Sequence, residues 1–475
     1  MTSILGILVS LSLLIALAYR GVSVLLLAPL MALVATLFSA DAPLMASYTQ
    51  VFMPALGGFV VAFFPLFLLG AVFGKLMEAC GSASAIAQGI VGVLGVERAL
   101  VAIVAACAVL TYGGVSLFVV AFAVYPIAAA LFQQAKLPRR LMPATIALGA
   151  FTFTMTALPG TPAIQNAIPM PFFGTTPFAA PGLGLIAGAV MVGLGSWWLL
   201  ARAASAQSRG EGYDADDAPV TNTPRSERDA PSALPTETAF ATPPFARAMA
   251  PIALVIVLNY ALSTWFFPAM DTHYLAQAKF GATTVQAVRG LWAVTAALFG
   301  AIVLLVVLER PRLPRLKDTL GDGASAAVLP LMNTASQVGY GAVIASLAGF
   351  GLIRDAVLGI APGNPLISLS IAVNVLAGIT GSASGGMSIA LQTLGAAWLA
   401  MGDAAGISPE LLHRVTAIAT GGLDALPHNG AVITLLSICK LSHRQSYLDI
   451  FVVAVAIPLV ALVVVVALGS ALGSF

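Results

Sequence analysis

Eight stretches of this chain are largely apolar over a length that can cross a bilayer: residues 2–19, 22–40, 55–77, 181–203, 248–268, 285–308, 322–350 and 446–473. A helix rises about 1.5 Å per residue and the hydrocarbon core is about 30 Å thick, so runs of this length read as membrane spans. Only 8% of the 475 residues are charged and 59% are hydrophobic, whereas a soluble domain carries about 25% charge. The chain therefore reads as an all-α polytopic membrane protein. Four further regions, 98–133, 141–166, 365–401 and 410–441, are apolar but interrupted by Gly, Pro and polar residues.

Several classes fall away. A net charge of +2 carries no information about partners, and no basic patch with interleaved aromatics points to nucleic acid. Cys80, Cys107 and Cys439 are scattered in apolar context without disulfide or metal spacing and read as small buried hydrophobes. No phosphate-binding Gly-rich loop is present, so the chain is not read as an ATP-driven pump, and no cofactor is expected. The N-terminus lacks a basic region before its apolar run, so 2–19 reads as a retained span rather than a cleaved leader.

Lys and Arg orient the spans. If Arg20 is cytoplasmic and 98–133 and 365–401 are re-entrant hairpins, every Lys and Arg except Lys279, Arg289, Arg354 and Arg414 falls on the cytoplasmic side. This agrees with the positive-inside rule. It predicts an inner (plasma) membrane protein of about ten spans plus two hairpins, with both termini on the periplasmic or outer side. Residues 204–247, rich in Ala, Pro, Ser, Thr and charge, read as a disordered cytoplasmic linker between an N-terminal half, 1–203, and a C-terminal half, 248–475.

The halves share a block. Gly113, Gly114 and Ser116 match Gly385, Gly386 and Ser388. Pro138 then matches Pro409, and "TALPGTPAI" matches "DALPHNGAVI" through Pro159 and Pro427. The orientation puts the first block in from the cytoplasm and the second from outside, so the repeat is expected to be inverted. Inverted repeats with interrupted helices build secondary transporters, with the substrate near the midplane where the breaks meet. Non-helical backbone is costly in lipid and persists only where it lines a cavity or lies buried in protein.

Four polar breaks are then expected to converge. They are the first tip at Thr111, Tyr112, Gly113, Gly114 and Ser116; the first broken helix (141–166) at Gly160, Thr161, Gln165 and Asn166; the second tip at Ser382, Ser384, Gly385, Gly386 and Ser388; and the second broken helix (410–441) at Asp424, His428 and Asn429. Glycines allow close approach, prolines stop the preceding turn, and hydroxyls and amides offer contacts without charge. The competing reading of the tips is small-residue helix packing. No arginine sits in the breaks, which favours a single carboxylate with hydroxyls over a clamped dianion.

Asp424 and His428 are singular: their counterparts in the first half, near Thr156 and Gly160, are uncharged, and of the four histidines His428 alone is expected to lie deep. Intramembrane ionisable groups are functional by default, and either could carry a coupling proton; the alternative is a structural hydrogen bond that stabilises the break. Glu78, three residues from Lys75, reads as half of a solvated helix-end pair. Asn333, Ser336 and Gln337 give one span a polar face that either lines a site or bonds a neighbouring helix.

With its paired hairpin-plus-broken-helix blocks, "LLGAVFGKLMEACGSASAIA" at 68–87 and "TALPGTPAIQN" at 156–166, the chain resembles the gluconate:proton symporter family (GntP type) within the ion transporter superfamily, over nearly its full length. The resemblance implies proton-coupled uptake of a sugar acid or small hydroxy acid by a homodimer, in which a transport domain moves as an elevator. It also implies that both tips and both breaks line the substrate site. The first break here has no histidine where that family carries a His- and Pro-rich version, which brings in shorter acids such as 3-hydroxybutyrate. The expected partners are thus a small organic anion, a proton or a sodium ion, and the bilayer. Sodium-coupled carboxylate symport is the alternative; a channel, or a membrane-embedded enzyme using Asp424 and His428, is more remote.

Overall fold

The computed structural model describes residues 2–20, 22–39, 42–213 and 242–475, and among them every regular element is a helix. The first half comprises α1 (Thr2–Tyr19), α2 (Val24–Leu37), the single turn α3 (Leu44–Ala46), α4 (Met53–Ala79), α5 (Ser82–Leu94), α6 (Ala99–Tyr112), α7 (Leu117–Gln134) and α8 (Met142–Ala150). The short turns α9 (Phe153–Thr156), α10 (Ile164–Ala167) and α11 (Pro169–Phe173) follow, and then α12 (Pro181–Ser208). The second half comprises α13 (Phe245–Ala261), α14 (Phe267–Ala269), α15 (Val285–Glu309), α16 (Leu316–Ser346), α17 (Phe350–Leu358), α18 (Pro365–Thr380), α19 (Ala383–Ala405), α20 (Pro409–Thr420), α21 (Gly430–Ile438), α22 (His443–Phe451) and α23 (Ile457–Leu472). Most of the expected linker lies outside the described residues; at its edges α12 runs on to Ser208 and α13 begins at Phe245.

Six continuous helical stretches are long and apolar enough to cross a membrane, or up to eight if two bent pairs count as spans, so the chain is a multi-pass membrane protein. The shortfall from about ten has local causes. The first two apolar runs form helices of only 18 and 14 residues. The span expected at 322–350 ends at Ser346 and bends by 98° into α17. The continuous parts of the two broken helices, α8 and α20, are 9 and 12 residues long. In the other direction, the helix expected at 55–77 starts as early as Leu44.

Proline would be expected to end three of the long stretches, and it does not. A π-helical turn precedes it each time: Ser47–Phe52 before Pro54, Leu262–Phe266 before Pro268, and Val452–Ala456 before Pro458. Proline lacks an N–H and its ring crowds the carbonyl four residues back. Widening the preceding turn accommodates both, and the helix continues.

A long helix, a short helix, a hairpin, a short helix, a non-helical break and a long final helix follow in this order from α4 to α12, and again from α16 to α23. Packing follows the same exchange. Helix α4 packs on α16 and α12 on α23; α15 packs on α4 as α2 does on α16; α13 packs on α5 as α1 does on α17. Asp449 of α22 (1% exposed) ties the halves together. It accepts from Trp198 at 3.0 Å and Arg202 at 2.9 Å and lies 3.5 Å from Arg140.

Candidate functional site

Both hairpin tips turn on a glycine with positive φ, and each turn presses on the break of its own half. Gly114 has φ +92° and Gly381 φ +61°. A Cβ at Gly114 would lie 3.0 Å from Pro162 Cγ, and one at Gly381 would lie 2.9 Å from His428 Cδ2. A side chain there would be strained by its backbone and would also push tip and break apart.

All four breaks open onto one cavity of about 960 Å³, at the upper end of the range for small-molecule sites. Of the residues singled out in the sequence, Thr111, Gly114, Ser116, Gln165, Ser382, Ser384, Asp424, His428 and Asn429 line it. Four helices of eight residues or more begin at its wall: α2, α7, α19 and α21. Their N-termini carry partial positive charge from aligned peptide dipoles.

The second tip and second break are stitched together. Asn429 Oδ1 accepts from the amides of Ala431 (2.6 Å) and Val432 (3.2 Å), capping α21, while its Nδ2 donates to Gly381 O at 2.9 Å and to Asp424 O at 2.5 Å. Ser382 caps α19 by accepting from Gly385 N at 3.1 Å. Ser384 Oγ lies 3.1 Å from Thr334 Oγ1 on α16 and 3.4 Å from Ser382 Oγ.

The remaining candidates lie behind the lining, those of the first half bonded around the break and Gly385, Gly386 and Ser388 packed inside α19 rather than at the tip. Tyr112 donates to Pro159 O at 2.7 Å. Gly160 donates to Pro177 O at 2.8 Å and accepts from Asn259 Nδ2 at 3.1 Å. Thr161 O accepts from Asn166 Nδ2 at 3.0 Å. Gly113 faces Ile252 of α13, Gly385 faces Gln337 of α16, and Gly386 lies against the α18 backbone at Ala377. Ser388 is 2% exposed, within α19.

Asn166 belongs to a buried cluster that sequence reasoning missed. Arg414, fully buried in α20, donates to Ala179 O at 2.8 Å, Ala157 O at 3.1 Å, Pro177 O at 3.2 Å and Asn166 Oδ1 at 3.2 Å. These are carbonyls the interrupted helix leaves without intrahelical donors, and Arg414 satisfies them from the other half. His413 is also completely buried, between Thr175 at 2.5 Å and Asn166 at 3.1 Å. It is deeper than His428, although the sequence placed it only near a helix end. The signal was present: an Arg and a His side by side in an apolar helix have to meet partners in the interior.

The lining also includes Lys75, Glu78, Asn333, Thr334 and Gln337. Lys75 and Glu78 pair at 3.0 Å as expected, but at the cavity wall rather than on an unrelated surface. The polar face of α16 divides: Asn333 and Gln337 line the cavity, whereas Ser336 donates to Leu25 O of α2 at 3.3 Å. Lys75, Glu78, Asp424 and His428 are the ionisable side chains of this lining.

No protein-family model matches the sequence. A protein of Bacillus subtilis (strain 168) described as the uncharacterized transporter YxjC is 43% identical over 474 residues, a match that spans 98% of each chain. With its membrane-spanning helices and internal polar cavity, the chain belongs to the family of membrane transporters that includes this Bacillus protein.

Proposed function

We propose that this transporter is a secondary active symporter that carries a small hydroxylated organic anion together with protons. Gluconate or a related sugar acid, or a shorter hydroxy acid such as 3-hydroxybutyrate, fits this description. The observation that carries the reading is the meeting of two hairpin tips and two helix breaks at one cavity, with Asp424 and His428 in its wall. The four helix N-termini favour an anion, and the hydroxyls and amides around them suit a hydroxylated chain. Asp424 and His428 are the groups in the breaks that can gain and lose a proton during a transport cycle.

The recurring element order and the exchange-symmetric packing support an inverted repeat. In the orientation drawn from Lys and Arg, the cavity lining runs from the tips towards the ends that carry Arg20, Lys75 and Lys317. The conformation is then open to the cytoplasm, one end state of an elevator cycle. A dimeric elevator follows from the resemblance to the gluconate:proton symporters and is part of the same proposal. Uptake of radiolabelled gluconate, glycerate, lactate, 3-hydroxybutyrate and citrate into proteoliposomes tests the substrate class. Saturable uptake of a hydroxylated monocarboxylate is expected; uptake of citrate alone would overturn the class.

A further inference from the structure

The two tips differ in what their polar groups are already doing. At the second tip they are occupied with one another: Ser382 caps α19, Ser384 meets Thr334, and Asn429 uses both ends of its amide. At the first tip Tyr112 is bonded to Pro159 O, but the groups that line the cavity are not engaged in this way. No side chain caps α7, whose first residues Leu117, Phe118 and Val119 line the cavity. Thr111 is 4% exposed and Gln165 is 8% exposed, and neither Thr111 Oγ1 nor Gln165 Oε1 has a hydrogen-bond partner. A buried polar group left unpaired costs about 1–3 kcal/mol, so an arrangement of several such groups beside an uncapped helix start points to a ligand that completes it.

The charges divide the same way. Asp424 stands at the second break, next to the second tip, and the first tip and first break contain no acidic residue. A carboxylate ligand is repelled from the Asp424 side whenever Asp424 is ionised, whereas the acidic group nearest the first tip, Glu78 of α4, one turn from the Gly74 that packs on Ser116, is paired with Lys75 at 3.0 Å. Between the poles, the amide oxygens of Asn333 and Gln337 on α16 also lack partners. An amide both donates and accepts, which matches a hydroxyl.

We propose that the substrate binds in one orientation, with its carboxylate at the first hairpin tip against the start of α7, Thr111, Ser116 and Gln165, and its hydroxylated chain against Asn333 and Gln337 of α16. The tips are related by the repeat, but their roles are different: the first holds the anion, and the second stands beside the proton-carrying group. This assignment rests on the reading of the substrate as a hydroxylated carboxylate.

Equilibrium binding of glycerate, 3-hydroxybutyrate and gluconate to the purified full-length protein separates the poles. Ser116→Ala and Gln165→Met are expected to weaken every member that the wild type binds by a common factor of about ten, since all share the carboxylate. Asn333→Ala and Gln337→Ala are expected to weaken gluconate several-fold more than 3-hydroxybutyrate, which has fewer hydroxyls. Gln165→Glu is expected to abolish binding of all three at neutral pH. Thr111→Val serves as a second carboxylate-pole variant should Gln165→Met fail to fold. The orientation is overturned if Ser382→Ala gives the uniform loss and Ser116→Ala does not, or if Gln165→Glu binds as the wild type does. Binding of none of the three to the wild type would instead sink the substrate class, and the orientation with it.

Discussion

The side-chain amide of Asn429 donates to the carbonyl of Gly381 at 2.9 Å, fastening the second helix break to the second hairpin tip, while its oxygen caps α21. Asn429→Ala removes the cap and both donated bonds. Loss of the cap alone costs about 1–2 kcal/mol, and the tip is freed to shift relative to Asp424. The expected result is a lower unfolding temperature in detergent together with reduced transport. Asn429→Asp, which keeps the cap but loses the donor to Gly381, should recover stability more than transport. Equal recovery of both would mean that the stitch to Gly381 has no functional part.

Arg414 holds the first break from the opposite half through four backbone carbonyls and the Asn166 side chain. Lysine has no planar fork to reach several acceptors at once. Arg414→Lys is therefore expected to destabilise by about 3 kcal/mol or more, from several carbonyls left without donors at about 1–3 kcal/mol each. Thermal unfolding of the solubilised protein measures this. A variant as stable as the wild type would show that the carbonyls find other donors.

Glu211 lies just beyond α12, outside the spans, where hydrogen bonds from Arg209 and Arg140 lower its pKa from 4.5 to about 2. Folding makes it bind its proton less readily. The stability it contributes is therefore complete above about pH 4.5 and is lost as pH falls towards 2. Glu211→Gln should unfold more easily than the wild type at pH 5, with the gap closing as the pH is lowered through that window. A gap independent of pH would mean the carboxylate is not held ionised by these arginines. The group is partly exposed, so the gap is expected to be small and to shrink with salt.

Asp424 lines the cavity at the second break, where the first break has no acidic residue. Asp424→Asn keeps the shape and removes the ionisable charge on which the proposed coupling depends. It is expected to abolish gradient-driven accumulation while sparing counterflow exchange of substrate. Retention of accumulation would make Asp424 a structural residue of the break.

The four breaks were legible because Gly, Pro and polar residues stand out in an apolar chain, and each does interrupt a helix. Which way a residue faces inside a break was not legible. Ser116 and Ser384 line the cavity while Ser388 lies buried within α19, and Gln165 lines it while its neighbour Asn166 turns back to His413 and Arg414. A tip has no fixed period, so spacing carries no rotational information there, unlike the 3.6-residue repeat of a helix. On α16, where that repeat applies, Asn333 and Gln337 are four apart and do share the cavity face. Thr334 was missed, although it adjoins Asn333 and meets Ser384. Arg414 beside His413 in an apolar helix did signal a buried polar cluster, but its partners, the carbonyls of a broken helix in the other half of the chain, are not written in any local spacing.

Proton coupling is the central claim, and uptake into proteoliposomes under imposed gradients tests it most directly. With a hydroxylated monocarboxylate outside, an inward proton gradient should drive accumulation above equilibrium in the absence of sodium, and collapsing the gradient with a protonophore should abolish it. Accumulation driven by an inward sodium gradient and indifferent to the pH gradient would contradict the account.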